Sequence, residues 1–330
     1  MSSAPRHIDV CNGDADGLGA LLQWRLAHPV DAASVVRHVG LKRDHTLLHG
    51  VQARAGDEVT VIDMSLDGQR DAVLALLAAG VRVHHIDHHF GQPLPAHPLL
   101  RTDVDTAGDV CSGLIVHRLV GGRFPGWAVV CAHGDNLHGS ARALGQAMGL
   151  DAAGQQALRT LGEALNHNAY GDSLADVRVP PAELLQRLMP FADPRQALRD
   201  DPTLPGLVQG MAEDMAHALA VPPCLDCAQA RVWQLPDAAW ARRASGSLAN
   251  RHALAHPQQA CAVMRPRAGG LWVVSVRAPL AHPQGAAALC QAFGGGGRDT
   301  AGGIDALADT DVPAFLAALQ GHAWVRAAAP

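Results

Sequence analysis

Lysine is almost absent from this 330-residue sequence: Lys42 is the only one among 26 Lys and Arg residues. That excludes a P-loop, which sets a lysine beside bound phosphates, and leaves one candidate for Schiff-base chemistry. Aromatic residues make up only 4% of the chain, too few for an extended base-stacking platform. A formal net charge of -5 excludes a broadly basic surface of the kind that grips long nucleic acid. Seven cysteines fall at irregular spacings, and Cys224 and Cys227 form one CxxC with no second to match it. This pattern supports neither a disulfide framework nor a four-cysteine zinc site. No uninterrupted apolar run approaches the roughly 20 residues that cross a bilayer, and the opening residues lack a signal-like apolar segment. The expectation is a cytoplasmic protein that makes no membrane contact.

What is present is ample core. At 48% hydrophobic residues, a chain of this length is expected to form two compact domains. Residues 6–11 read as a buried strand and 18–26 as the helix that follows. Residues 59–63 read as a second strand, 67–79 as a helix stopped by Gly80, and 81–86 as a third strand. This βαβ rhythm predicts an α/β fold: an N-terminal, mostly parallel sheet with helices on both faces. The segment 182–221 carries helical periodicity between proline breaks and predicts a helical connector. A smaller C-terminal α+β domain follows. The expected organisation is a first domain over 1–180, a connector over 181–225 and a second domain over 226–330.

In a parallel sheet, ligands bind outside the carboxyl ends of the strands. Acids gather at just those positions. Asn12-Gly13-Asp14-Ala15-Asp16-Gly17 leaves the first strand, Asp63 ends the second, and Asp87-His88-His89 ends the third. Alone, Asp-x-Asp-Gly reads as an ordinary turn, and a lone Asp135 after the apolar run 127–131 reads as a cap or turn residue. Together, Asp14, Asp16, Asp63, His88 and Asp135 form the ligand inventory of a two-metal hydrolase. Carboxylates suit manganese or magnesium, and imidazole shifts the preference toward manganese, iron or zinc. In this reading His88 is a ligand, Asp87 orients it, and His89 faces substrate. His84 and His85 are read as structural. A Rossmann site for a dinucleotide cofactor is poorly supported, since Gly17 and Gly19 are followed by Leu22 where that fingerprint needs glycine.

Four consecutive glycines, Gly294, Gly295, Gly296 and Gly297, predict a loop with unusual torsion angles. Its amides are expected to form an anion-binding nest, with Arg298 adding a bidentate phosphate contact and Arg277 a second.

The order of these motifs resembles the DHH phosphoesterase superfamily, RecJ-like or oligoribonuclease-like branch, named for its Asp-His-His run. Asp14-x-Asp16, Asp63, Asp87-His88-His89 and Asp135 match in sequence order. Val274-Ser-Val-Arg277 and the glycine segment through Arg298-Asp-Thr-Ala301-Gly-Gly resemble the DHH-associated C-terminal domain. Two departures stand out. Many relatives carry a metal-binding histidine at the position of Val10, and the RecJ-like branch uses the position of Asn12 instead. The glycine segment usually ends in histidine, where this chain has Arg298. The resemblance implies two Mn2+ ions per site, with Mg2+ or Co2+ as substitutes. It implies a phosphodiesterase or exonuclease that cuts short single-stranded oligonucleotides or linear dinucleotides to mononucleotides, with a homodimer compatible. The alternatives are a nucleotide 3′-phosphatase, a cyclic-dinucleotide phosphodiesterase, or a non-catalytic nucleotide sensor. A family II pyrophosphatase does not fit, because its Ser-Arg-Lys signature is missing.

Overall fold

The computed structural model describes residues 4–324, apart from 43, 45 and 93. The chain divides into two compact units, Met1–Gln209 and Gly210–Pro330.

The first unit is built on five parallel strands: β1 (His7–Asn12), β2 (Val35–Gly40), β3 (Glu58–Ile62), β4 (Arg82–Asp87) and β5 (Leu100–Val104). Their spatial order is β2-β1-β3-β4-β5. The strand period of two sends alternate residues to opposite cores. Ile8, Val10, Val59, Val61 and Val83 pack with Val73, Leu76 and Leu77 of α2 (Arg70–Ala78). Cys11, Ile62 and Ile86 pack on the other face with α1 (Ala15–Ala27), α3 (Ser112–Leu119) and α4 (Pro125–Gly134). The α/β class and the parallel sheet expected from the sequence are therefore present. Edge strands β2 and β5 were not expected; β5 carries only intermediate or exposed residues, so it lacks the apolar run that marks β1, β3 and β4.

Helices α5 (His138–Ala147), α6 (Ala152–Asn168), α7 (Pro181–Leu188) and α8 (Pro194–Asp200) complete this unit, and α9 (Thr203–Ala220) leads onward. Among the described residues, no helix is long and apolar enough to cross a membrane.

The strand order reverses direction between β1 and β3, since the chain leaves β1 toward β2 on one side and later continues from β3 on the other. Such a switch point opens a crevice at the carboxyl ends of the strands. Asn12 to Asp16 and Asp63 flank it.

The second unit is a mixed six-stranded sheet ordered β10-β11-β9-β8-β7-β6. Its strands are β6 (Leu225–Asp226), β7 (Ala230–Gln234), β8 (Ala260–Arg267), β9 (Leu271–Arg277), β10 (Gly296–Arg298) and β11 (Ala301–Ala308). Helix α10 (Ala239–Ala255) covers one face through Ala244, Leu248 and Ala249, against Trp233, Cys261 and Val263. The other face packs Val232, Ala262, Met264, Val274 and Val276 against α11 (Ala286–Gln291) and α12 (Val312–Gly321).

The glycine segment corrects the sequence expectation. Gly294 and Gly295 cap α11, donating their N–H groups to Gln291 and Cys290 carbonyls at 3.1 and 2.9 Å. Gly296 and Gly297 belong to β10, the edge strand of a hairpin with β11. Two of the glycines are needed because the backbones crowd: a Cβ on Gly295 would lie 2.2 Å from the Gly303 carbonyl oxygen, and one on Gly297 2.5 Å from that of Ala301. The expected four-residue anion nest is thus a helix cap followed by a strand, and two of its four amides are already spent.

Candidate metal centre

The site forms where sequence and topology both place acids. Asp14 is the N-cap of α1, and its Oδ1 accepts from the backbone N–H groups of Asp16 and Gly17, both at 3.0 Å. The helix begins at Ala15 rather than at the expected residue 18, so Asp16 sits in its first turn. Gly17 is required here, since a Cβ would fall 2.1 Å from the Asn12 carbonyl oxygen. Asp16 reaches across to α3 and accepts from the N–H groups of Ser112 and Gly113 at 2.8 Å each. It thereby caps the positive end of that helix.

Asp63 follows β3 at φ 60°, a left-handed conformation uncommon outside glycine, asparagine and aspartate. Its carboxylate accepts from Ser112 Oγ at 3.1 Å. His88 stands at the centre. Its Nε2 lies 3.4 Å from Asp63 Oδ1, 3.5 Å from Asp135 Oδ2 and 4.0 Å from Asp16 Oδ2. Its Nδ1 lies 3.1 Å from the Val110 carbonyl oxygen. That carbonyl fixes Nδ1 as the donor, which leaves Nε2 to face the carboxylates.

Here the structure corrects the reading of Asp87. It does not orient His88: its Oδ1 bonds His89 Nδ1 at 2.7 Å, and its Oδ2 lies 3.6 Å from His85 Nε2. The buried carboxylate therefore positions the more exposed His89. His84 bonds Asp103 at 2.7 Å and His85 the Met64 carbonyl at 3.0 Å, in keeping with structural roles.

The electrostatics follow from crowding. Burial pushes Asp63 well above the usual carboxylate range, and the charges of Asp16 and Asp14 push further. Burial and the charge of Asp135 also raise Asp16. Burial would lower His88, but its hydrogen bond to Asp63 and the surrounding carboxylates outweigh it and raise the imidazole to about 10. Burial would raise Asp87 too, yet hydrogen bonds with His85 and His89 hold it well below the usual range.

Lys42 is a residue of this site that the sequence reading missed. It lies just beyond β2, at the same sheet edge as the acids. Its ammonium donates to Asp14 Oδ2 and, at 2.8 Å, to Asn166 Oδ1, and lies 3.8 Å from Asp135 Oδ1. The contact with Lys42 outweighs burial and lowers Asp14, while the nearby acids raise Lys42 well above the usual lysine value. A single lysine among 26 basic residues, two positions past a strand end, was the available signal.

The donor set suits a divalent cation. It combines imidazoles with buried carboxylates whose mutual repulsion calls for positive charge. Ligand atoms of Asp63, His88 and His89 all lie within 4.8 Å of one another. Asn12 Nδ2 donates to Asp14 Oδ2 at 3.3 Å, while its Oδ1 is buried without a partner, an acceptor free to meet a cation. Asp135 follows α4 as its C-cap and is the most exposed of the four central acids at 20%.

In the second unit, Arg298 pairs in register with Ala301, and Ala301 with Arg277. The two arginines therefore share one face of the sheet, two strands apart. Arg277 Nε donates to Asn250 Oδ1 at 2.7 Å, and Arg298 is exposed.

No family model and no curated protein matches the sequence. Solved structures do match the fold. A DHH-domain protein described as a member of the s1p family of ribosomal proteins superposes with a TM-score of 0.66 at 14% identity, over 96% of this chain and 85% of that one. The exonuclease RecJ bound to manganese matches at 0.58 and 19% identity, over 96% and 89%. The pGpG-specific phosphodiesterase PggH of Vibrio cholerae matches at 0.55 and 16%, over 95% and 97%. At these identities the likeness is one of architecture: the chain has the fold of the DHH-domain proteins.

Proposed function

We propose that the first unit is the catalytic, divalent-metal-dependent domain of a phosphodiesterase or exonuclease that cuts short oligonucleotides or linear dinucleotides to mononucleotides. One observation carries this reading: Asp16, Asp63 and Asp135 converge on His88 Nε2 at the switch point of a parallel sheet. Those four residues would hold the ion, with His89 adjacent and with Asn12 and Asp14 bordering the site. Mixed carboxylate and imidazole donors favour Mn2+, with Mg2+ or Co2+ as substitutes. When bound, the ion supplies Lewis acidity that neutralises phosphate charge and makes a water more acidic.

The protein's own groups do the rest. Asp16 and the α3 N-terminus lock each other in place. The Val110 carbonyl keeps the His88 Nε2 lone pair directed at the cation position once the ring is neutral. His89, half-exposed and held by Asp87 through Nδ1, keeps Nε2 for a substrate phosphate or a proton. Within the second unit, Arg298 and Arg277 on one sheet face form a candidate phosphate-binding pair of their own. The net charge of -5 and the scarcity of aromatics favour a short substrate over a long strand. The fold shared with an exonuclease and with a pGpG-specific phosphodiesterase supports the same substrate class.

The test is a substrate panel with Mn2+: pGpG, RNA and DNA oligomers, cyclic dinucleotides and nucleoside bisphosphates. Release of mononucleotides from di- to pentanucleotides is expected. Activity confined to adenosine 3′,5′-bisphosphate would replace this reading with a phosphatase. Undiminished activity in an Asp63→Ala, Asp87→Ala double variant would remove the metal assignment.

A further inference from the structure

Two cation positions can be read from how the carboxylate oxygens divide. Around the Lys42 ammonium lie Asp14 Oδ2, Asn166 Oδ1 and Asp135 Oδ1. Around His88 Nε2 lie Asp63 Oδ1, Asp16 Oδ2 and Asp135 Oδ2. Asp135 gives one oxygen to each, as a carboxylate does when it lies between two cations. Asp14 has a single oxygen to offer, because its Oδ1 is taken by the first turn of α1.

Lys42 is also built into its position rather than left loose there. Its backbone N–H donates to the Ala169 carbonyl at 3.2 Å. Its ammonium lies 5.5 Å from the centre of the Tyr170 ring. With Asn166, these contacts all come from the C-terminal end of α6 or just beyond it. The side chain is only 20% exposed. An ammonium so anchored stands where a second metal ion drawing on Asp14 Oδ2 and Asp135 Oδ1 would have to lie, and it supplies the positive charge those oxygens call for.

Building on the metal-dependent reading above, we infer that the Lys42 ammonium permanently fills one of two cation positions, so that the centre takes a single divalent ion. The ion sits on the His88, Asp63 and Asp16 side, with Asp135 linking it to the lysine. The lysine carries one charge in place of two and cannot exchange with solvent. It has three N–H donors, of which Asp14 and Asn166 take two, leaving the third for Asp135 or a phosphate oxygen of the substrate.

The test is a count of bound ions on the full chain. Protein is equilibrated with Mn2+, freed of unbound ion, and its manganese measured by mass spectrometry. Wild type is expected to hold one ion per chain, and Lys42→Met and Lys42→Ala two. Lys42→Met keeps an unbranched apolar side chain of similar length in place of the lysine stem while removing the ammonium. In chelator both variants are expected to melt below wild type, and Mn2+ to restore them. Two ions on wild type, or one on the folded methionine variant, would overturn the inference while leaving the metal reading intact. No ion on wild type or variants would overturn both. If neither variant folds, the wild-type count still decides.

Discussion

Asp63 offers the sharpest perturbation. At φ 60°, Asp63→Asn keeps a residue that tolerates the left-handed conformation, and it keeps an acceptor for Ser112 Oγ. What it removes is the charge. In the metal-free protein, that charge faces Asp16 and Asp14 and is opposed by His88 at 3.4 Å. A hydrogen bond to a charged partner is worth on the order of 1.5–3 kcal/mol. Yet the carboxyl is raised well above its ordinary range, so burial and repulsion exceed that gain. The variant should therefore melt at or above wild type in chelator. With Mn2+ at a hundredfold over its Kd, wild type should gain roughly 2.7 kcal/mol. For a unit of this size that corresponds to roughly 5–10 °C. The variant should gain almost nothing. Scanning calorimetry of both proteins, with and without Mn2+, makes the comparison. Equal shifts in the two proteins would refute the reasoning, as would a variant much weaker than wild type in chelator.

Other expectations follow from particular contacts. Asp57 is buried and accepts from Arg6 N, Nε and Nη2 and from Arg54 N, and these bonds overcome its burial to hold it at about 2. Its folded value lies below the unfolded one, so the stabilisation is complete above about pH 4 and lost as pH falls toward 2. It amounts to about 2 kcal/mol; an acid titration of stability on wild type and Asp57→Asn should show that difference vanish at the lowest pH. Gly17→Ala forces a Cβ against the Asn12 carbonyl oxygen and should cost about 3 kcal/mol, read by denaturant unfolding. His89→Ala should lower kcat by roughly a hundredfold or more with little change in the ion count. Arg298→Ala should raise KM about tenfold and leave kcat nearly unchanged, measured on a dinucleotide.

Much of this was legible because the signals are local. The apolar runs of β1, β3 and β4 marked the buried strands, and the acid that follows each run marked the sheet edge where ligands bind. Strands β2 and β5 escaped, since edge strands carry no continuous apolar run and take their structure from the neighbour they pair with. The partner of His88 Nδ1 was not legible either: any residue can present a backbone carbonyl, so Val110 left no trace in the sequence. The flanking acid Asp87 looked like the natural partner, but β4 directs it to His85 and His89 instead. Lys42 was passed over because lysines are usually solvated, and only α6, more than a hundred residues later, supplies the contacts that bury this one. The glycine segment was misread for the opposite reason. Four glycines announce backbone freedom, but here Gly295 and Gly297 answer a need for close packing against β11, and Gly294 takes φ 75° at the end of α11.

The central claim is hydrolysis at phosphorus by a metal-dependent centre. It is tested most directly by cleaving a 5′-phosphorylated dinucleotide in water enriched in a heavy oxygen isotope, with Mn2+ and then with chelator. The account predicts two mononucleotides per dinucleotide, the newly formed phosphate carrying a single heavy oxygen, and no product in chelator. Cleavage that persists in chelator, an unlabelled phosphate, or an intact dinucleotide and intact oligomers in Mn2+ would contradict it.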